Sequence, residues 1–439
     1  MTALPLGLVC AMTLAVIWRE RQSNASASAA LWIPWAWLML ISSRALSDWI
    51  GVGAPRGSVE AFADGSPIDR AAYLALLSAG LVVLARRRLP WADIAAVNKL
   101  LLAYGLYCAA STLWADVPGI AARRLVKDAG NLVMALIVLS EPAPWRAAAL
   151  LLRRVALVLL PASLLFVVAF PELGTDRRMD GSVMYTGVTH QKNELGRLCL
   201  VTGLALLWLI WLDKAHQAKR PPLDRWLTFI LAALALGLLM LSESRTALAC
   251  LALGAALMLA VRLPLLRNRP SRLVGAAVVT AALLTAADLA FNIRDEAFEL
   301  LGRDATLTHR TGIWRMLLTL PTQPALGEGF MSFWSGPRLQ AIWTMLQAGI
   351  LQAHNGYLEQ YLNLGVVGVV FMVALFALGL LGARAQLATD VPGGVLRLAF
   401  LACAALYNVS EAAFHGQTAM WWLTLLAIVD ARALRRGNP

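Results

Sequence analysis

Residues 356–382, GYLEQYLNLGVVGVVFMVALFALGLLG, decide the fold class. After Glu359 the stretch carries no charge, and it exceeds the ~20 apolar residues a helix needs to cross the hydrocarbon core. Polar and apolar positions do not alternate as they would in a barrel strand. In lipid the backbone must then satisfy its own hydrogen bonds as a helix. Further apolar runs centre on residues 3–18, 30–43, 71–85, 95–112, 121–140, 147–170, 194–212, 226–241, 246–261, 273–290, 394–408 and 417–430. Several are shorter than a full span. The expectation is an all-α polytopic membrane helix bundle of about 12–13 spans, with residues 1–439 forming one integral membrane domain.

Composition agrees. The chain is 59% hydrophobic and 15% charged, with a mean hydropathy of +0.66, whereas a soluble domain carries roughly 25% charged residues. The net charge of +12 would suggest nucleic acid in a soluble protein. Here basic cytoplasmic loops and anionic headgroups account for it, so membrane lipids are expected as partners and nucleic acid is not. Cys10, Cys108, Cys199, Cys250 and Cys403 all lie in apolar stretches without a CxxC pair, which disfavours a disulfide framework or a zinc site. No basic region precedes the first apolar run, and Arg19-Glu20-Arg21 follows it. It reads as a retained span rather than a cleaved signal.

Loop charge sets the topology. Arg86-Arg87-Arg88, the 214–225 and 262–272 loops, and Arg432, Arg435 and Arg436 fall on one side when spans alternate, and read as cytoplasmic. Segments 44–70, 113–120, 171–193 and the long 291–353 then lie outside. Such a long connection is functional or disordered. The helical spacing of apolar residues in 308–320 and 337–350, with Trp314 and Trp343, favours an ordered, helical periplasmic loop.

Basic residues recur on the outer side, where the positive-inside rule disfavours them: Arg123, Arg124 and Lys127, then Lys192 and Arg197, Arg245 and Arg310. Any one of them can snorkel to lipid phosphates. As a set they point to a bound polyanionic headgroup, because arginine in a first helical turn opposes the macrodipole and calls for an anion. His190, His309, His354 and His415 share this side. Near a helix N-terminus the His354 ring is kept neutral and able to accept a proton as a general base. A helix cap or an interfacial histidine is the alternative, and spacing does not separate them. The sequence has no DxD, HExxH, GxSxG or P-loop motif, which disfavours metal-assisted nucleotide-sugar transfer, zinc hydrolysis and serine acyl chemistry. No metal or cofactor is expected.

Read together, Gly187-Val188-Thr189-His190-Gln191-Lys192-Asn193-Glu194-Leu195-Gly196, Ser244-Arg245-Thr246-Ala247-Leu248, Thr308-His309-Arg310-Thr311-Gly312-Ile313-Trp314, Gly327-Glu328-Gly329-Phe330 and Ala353-His354-Asn355-Gly356-Tyr357-Leu358-Glu359 resemble the O-antigen ligase/Wzy-type polymerase superfamily. The likeness extends over roughly residues 45 to 430 and is closest to its ExoQ-like exopolysaccharide polymerases. Ser66-Pro67-Ile68-Asp69-Arg70 and Arg124-Leu125-Val126-Lys127-Asp128 also look similar. The resemblance implies a metal-independent, inverting, GT-C-like glycosyltransferase of the bacterial inner membrane with its site facing the periplasm. The implied donor is a glycan on undecaprenyl pyrophosphate, and the acceptor a second glycan or lipid A–core. His354 then matches the activating histidine, and Arg245, Arg310 and Lys192 match cations around the pyrophosphate, with Arg124 and Lys127 as further candidates. His190 stands where relatives often carry Thr, and Glu243 beside Arg245 is a second departure. The glutamate could hold that arginine in place.

The leading reading is a polysaccharide polymerase, and the runner-up is a ligase acting on lipid A–core. A lipid-linked oligosaccharide transporter is a third, from a different class. Transporters favour paired broken helices and related halves, whereas the polar residues here gather on one face.

Overall fold

The computed structural model describes residues 3–23, 28–52, 65–178, 181–216, 221–291, 306–320, 322–346 and 350–435. Its first half contains α1 (Ala3–Ser23), α2 (Trp32–Ile41), α3 (Pro67–Arg86), the bent pair α4 (Trp91–Val97) and α5 (Lys99–Ser111), α6 (Pro118–Leu139) and α7 (Pro144–Ala169). Then follow α8 (Lys192–His216), α9 (Pro222–Leu241), α10 (Arg245–Ala260) and α11 (Arg272–Phe291). The long 291–353 segment contains α12 (Thr306–Thr319) and α13 (Gly336–Leu346), and α14 (Gly356–Leu387), α15 (Val391–Ser410) and α16 (Ala419–Ile428) close the bundle. Each apolar run falls on helical residues, so the all-α membrane architecture holds. One small addition is an antiparallel hairpin, β1 (Thr175–Arg177) with β2 (Val183–Tyr185), in register Thr175↔Tyr185.

Among the described residues, α3, α7, α8, α9, α14 and α15 are long and apolar enough to cross a membrane, six in all. The α4–α5 pair, bent by 89°, makes a seventh if it is one span. The expected twelve to thirteen is reached only by also counting the shorter apolar helices α1, α2, α10, α11 and α16 and α6. Arg123, Arg124, Lys127 and Asp128 lie in the first half of α6.

Burial divides these helices into two layers. Of the apolar window, 67%, 78% and 72% is buried in α7, α8 and α15, against 11%, 28% and 33% in α3, α9 and α14. The outer helices turn leucine and valine outward, among them Leu81, Val370 and Leu381. A helix apolar on its exposed face is solvated by hydrocarbon. Inside, small residues let elements close up. Gly130 of α6 admits the Trp37 ring, where a Cβ would lie 2.1 Å from it, and Trp37 Nε1 donates to Asn131 Oδ1 at 2.9 Å.

A break in α14 positions the outer segment. Gly365 adopts φ 63°, ψ −166°, a conformation open to glycine at little cost. The chain at 323–328 fills the break. Val366 N donates to Pro324 O at 2.9 Å, Val367 N to Ala325 O at 3.2 Å, and Glu328 N to Leu362 O at 3.1 Å. Backbone groups freed by the break are thus re-satisfied, as a site within lipid requires. The Gly327–Phe330 motif is a splint on the broken helix.

The segments expected outside are tied in pairs among the described residues, 44–70 to 171–193 and 113–120 to 291–353. Arg44 N donates to Val188 O at 3.0 Å, Ser47 Oγ to Asp69 Oδ2 at 2.6 Å, Asp116 N to Ser332 Oγ at 3.0 Å, and Phe330 N to Ser111 Oγ at 3.0 Å. Residues expected in the cytoplasmic loops make their own contacts: Arg87 with Glu141, Arg19 with Asp224, and Asp430 N with Asn98 Oδ1.

Candidate functional site

The His354 backbone has φ 52°, a left-handed conformation uncommon outside glycine and enriched at strained, functional positions. The chain is held on both sides of it. Trp314 Nε1 donates to Ala353 O at 2.7 Å, and Ala353 N donates to Glu359. Glu359 is itself braced by Trp334 Nε1 at 2.9 Å and Asn363 Nδ2 at 3.2 Å. Downstream, the Asn355 side chain caps α14, accepting from Tyr357 N and Leu358 N at 3.0 Å each. The capping alternative for His354 is thereby removed, since Asn355 fills that role.

The imidazole faces a residue that sequence reasoning missed. Glu411 follows α15, is 5% exposed, and accepts from Asn193 Nδ2 at 2.8 Å and Arg310 Nη2 at 3.0 Å. His354 Nδ1 lies 3.3 Å from its Oε2, and Gly356 N donates to its backbone oxygen at 3.0 Å. Arg310 also donates to Ser410 O. One carboxylate therefore gathers α8, α12 and the start of α14. Burial alone would raise the Glu411 pKa, but the His354 hydrogen bond and the Arg310 charge outweigh it and hold it below the ordinary carboxylate value. An ionised carboxylate opposite Nδ1 favours the tautomer protonated there, leaving Nε2 to accept a proton. Among the described residues Nε2 has no hydrogen-bond partner, and the His354 side chain is 26% exposed, enough for a substrate to reach it.

The remaining cations fall into two groups. Lys192 Nζ lies 3.4 Å from Glu243 Oε2, which also pairs with Arg178. The Arg178 hydrogen bond holds the Glu243 carboxyl below its usual pKa. Glu243 thus serves Arg178 and Lys192 rather than Arg245, correcting the expectation that it holds the neighbouring arginine. Arg245 is exposed at the first residue of α10. Its neighbour Thr246 shares a hydroxyl hydrogen bond with Ser410, which sets the start of α10 beside the Glu411 cluster.

Arg124 and Lys127 stand apart. Arg124 donates to Met331 O and to Ser335 Oγ, the latter at 3.0 Å, and Lys127 lies 4.7 Å above the Tyr73 ring. Between them and Glu411 runs the 411–418 loop. Asp128 anchors it by accepting from Gly416 N at 2.8 Å and Trp421 Nε1 at 3.0 Å. His415 in this loop contacts Tyr104 Oη at 3.0 Å, and burial pushes its pKa down to about 3. It is a neutral structural histidine. His190 pairs with Asp48 at 2.8 Å, and the His309 side chain lies outside the described residues. Among the described residues, no three or more His, Cys, Asp and Glu side chains form a group that could hold a metal ion.

Residues 230–373 match the family model described as O-antigen ligase. The likeness is confined to this stretch, less than half of the chain. The matched segment contains Arg245, Arg310 and His354. It begins after Lys192 and ends before Glu411, so the carboxylate that joins its histidine to its arginine comes from outside it. No curated protein matches the chain. The signal that could have exposed Glu411 is a glutamate closing the apolar run 394–408, on the side already crowded with cations.

Proposed function

We propose that this chain is a membrane glycosyltransferase that polymerises undecaprenyl-pyrophosphate-linked glycan units at the periplasmic face of the bacterial inner membrane. The observation that carries the reading is the buried Glu411, shared between the His354 ring and the Arg310 guanidinium. This arrangement puts a candidate base and a candidate pyrophosphate cation on one anchor. His354 Nε2 takes the proton of an acceptor hydroxyl as its oxygen attacks the anomeric carbon of the donor. The bond from that carbon to the pyrophosphate oxygen breaks with inversion, and its electron pair leaves on undecaprenyl pyrophosphate. Arg310, Arg245 and Lys192 stabilise the charge that develops there, as cations do for phosphoryl leaving groups, and no metal is assigned to that role. Arg124 and Lys127, separated by the 411–418 loop, bind a more distant part of the substrate.

The second reading is a ligase that transfers finished glycan to lipid A–core, and the O-antigen ligase description of residues 230–373 favours it. The two share donor, base and cations and differ in the acceptor. Reconstitution in phospholipid vesicles with an undecaprenyl-pyrophosphate oligosaccharide, with and without lipid A–core, separates them. A ladder of lengths supports the polymerase, and a single transfer to core supports the ligase. Movement of intact donor across the bilayer with neither product would replace both by transport.

A further inference from the structure

At the same end of the bundle, a cavity of about 190 Å³ lies between α2, α3, the first turns of α8 and the start of α16. Its walls include Ser42, Tyr73, His190, Glu194, Arg197 and Gln417. Asn193, which reaches Glu411, immediately precedes Glu194, and Gln417 belongs to the same 411–418 loop as Glu411. The cavity therefore adjoins the proposed reaction centre through both α8 and that loop.

The lining is incompletely satisfied. Gln417 Oε1 is buried with no hydrogen-bond partner, which costs free energy unless a ligand or water donates to it. Arg197 is half-buried and has no carboxylate within ion-pair distance among the described residues. Glu194 gives one oxygen to His190 N at 3.1 Å. The occupant must therefore donate to an amide oxygen and a carboxylate, and accept from a guanidinium. The Glu194 charge opposes a phosphate, and the unsatisfied Gln417 oxygen with the Arg197 guanidinium opposes an acyl chain, while Leu40, Ile41 and Leu198 add an apolar wall. Drug-sized ligands fill roughly 300–1,000 Å³, so about 190 Å³ suits one ring rather than a chain. A hydroxyl-rich pyranose offers both donors and acceptors, and an apolar ring face for Tyr73.

We propose that this cavity is a saccharide subsite holding one sugar ring of the glycan substrate beside the Glu411 cluster. The inference rests on the glycosyltransferase reading above. The test uses full-length protein in phospholipid vesicles, with the lipid-linked repeat unit isolated from the producing cells as donor and a lipid-linked glycan of defined length as acceptor. Gln417→Leu, which removes the unsatisfied oxygen, is expected to raise the KM of one substrate about tenfold, the scale of one lost polar contact. A rise confined to the acceptor places the acceptor's sugar in the cavity, and one confined to the donor places the donor's sugar there. Ser42→Cys supplies a second readout that hardly perturbs the fold. In a Cys10→Ala background, the glycan should slow labelling of residue 42 by a small water-soluble maleimide at least threefold, a margin of about 0.65 kcal/mol. If wild-type protein turns over but neither KM nor labelling responds, the cavity holds only water and the subsite is refuted. If wild-type protein forms no glycan product, the glycosyltransferase reading itself fails.

Discussion

Replacing Glu411 by glutamine separates the charge of this residue from its shape. Glu411 is 5% exposed and is met by Asn193 at 2.8 Å, Arg310 at 3.0 Å and His354 at 3.3 Å. Glutamine fills the same space and keeps one acceptor for both Asn193 and Arg310, which share Oε1. It removes the negative charge opposite Nδ1 and can turn its NH₂ toward the imidazole. That reverses the tautomer preference and places the proton on Nε2, where the base function resides. A hydrogen bond to a charged group contributes about 1.5–3 kcal/mol, or roughly 10- to 100-fold in rate at about 1.36 kcal/mol per decade. A wrong tautomer costs up to about 10⁴ in the well-studied serine triad. The expected result is a loss of kcat of roughly 100-fold, with a smaller change in donor KM because Arg310 keeps its bond to Ser410 O. Steady-state glycan synthesis in vesicles, with thermal unfolding as the folding control, measures it. A folded Glu411→Gln protein with kcat within about threefold of wild type and an unchanged pH profile would refute the positioning argument.

Four further outcomes are expected. His354→Asn preserves a residue that tolerates φ > 0, so the protein should fold normally and lose at least about 100-fold in transfer while still binding donor; retained turnover sinks the base assignment. Arg245→Ala should raise donor KM about tenfold, and unchanged donor binding and turnover would remove Arg245 from the pyrophosphate site. Gly365→Ala forces a Cβ to 2.2 Å from Ala325 O at φ 63°, and should destabilise by more than ~1 kcal/mol, seen as a lower melting temperature in detergent. Because the folded-state pKa of Glu411 is depressed from 4.5, its contribution to stability is fully present above about pH 4.5 and is lost as pH falls through the depressed value. Wild-type protein should lose melting temperature below pH 4 more steeply than Glu411→Gln, and parallel curves would contradict the ionised assignment.

The helical membrane architecture was legible because hydrocarbon imposes a local rule: long apolar runs must hydrogen-bond within themselves. Loop charge likewise grouped 44–70, 113–120, 171–193 and 291–353 as an expectation, and among their described residues 44–70 bonds to 171–193 and 113–120 to 291–353. His354, Arg310 and Arg245 were legible as residue types out of place for an apolar chain. The span count was less so, because several apolar helices are shorter than a bilayer and only their packing carries them. Pairing was not legible at all. Glu411 lies 57 residues from His354, 101 from Arg310 and 218 from Asn193, and no periodicity links positions so distant. The sequence alone determined that there are membrane helices and that cations crowd one end, since burial and charge act on each segment separately. Which carboxylate joins which cation, and that Glu243 serves Lys192 rather than Arg245, was decided by tertiary structure. A buried charge must find its partner across the bundle, and only packing brings that partner within 3–4 Å.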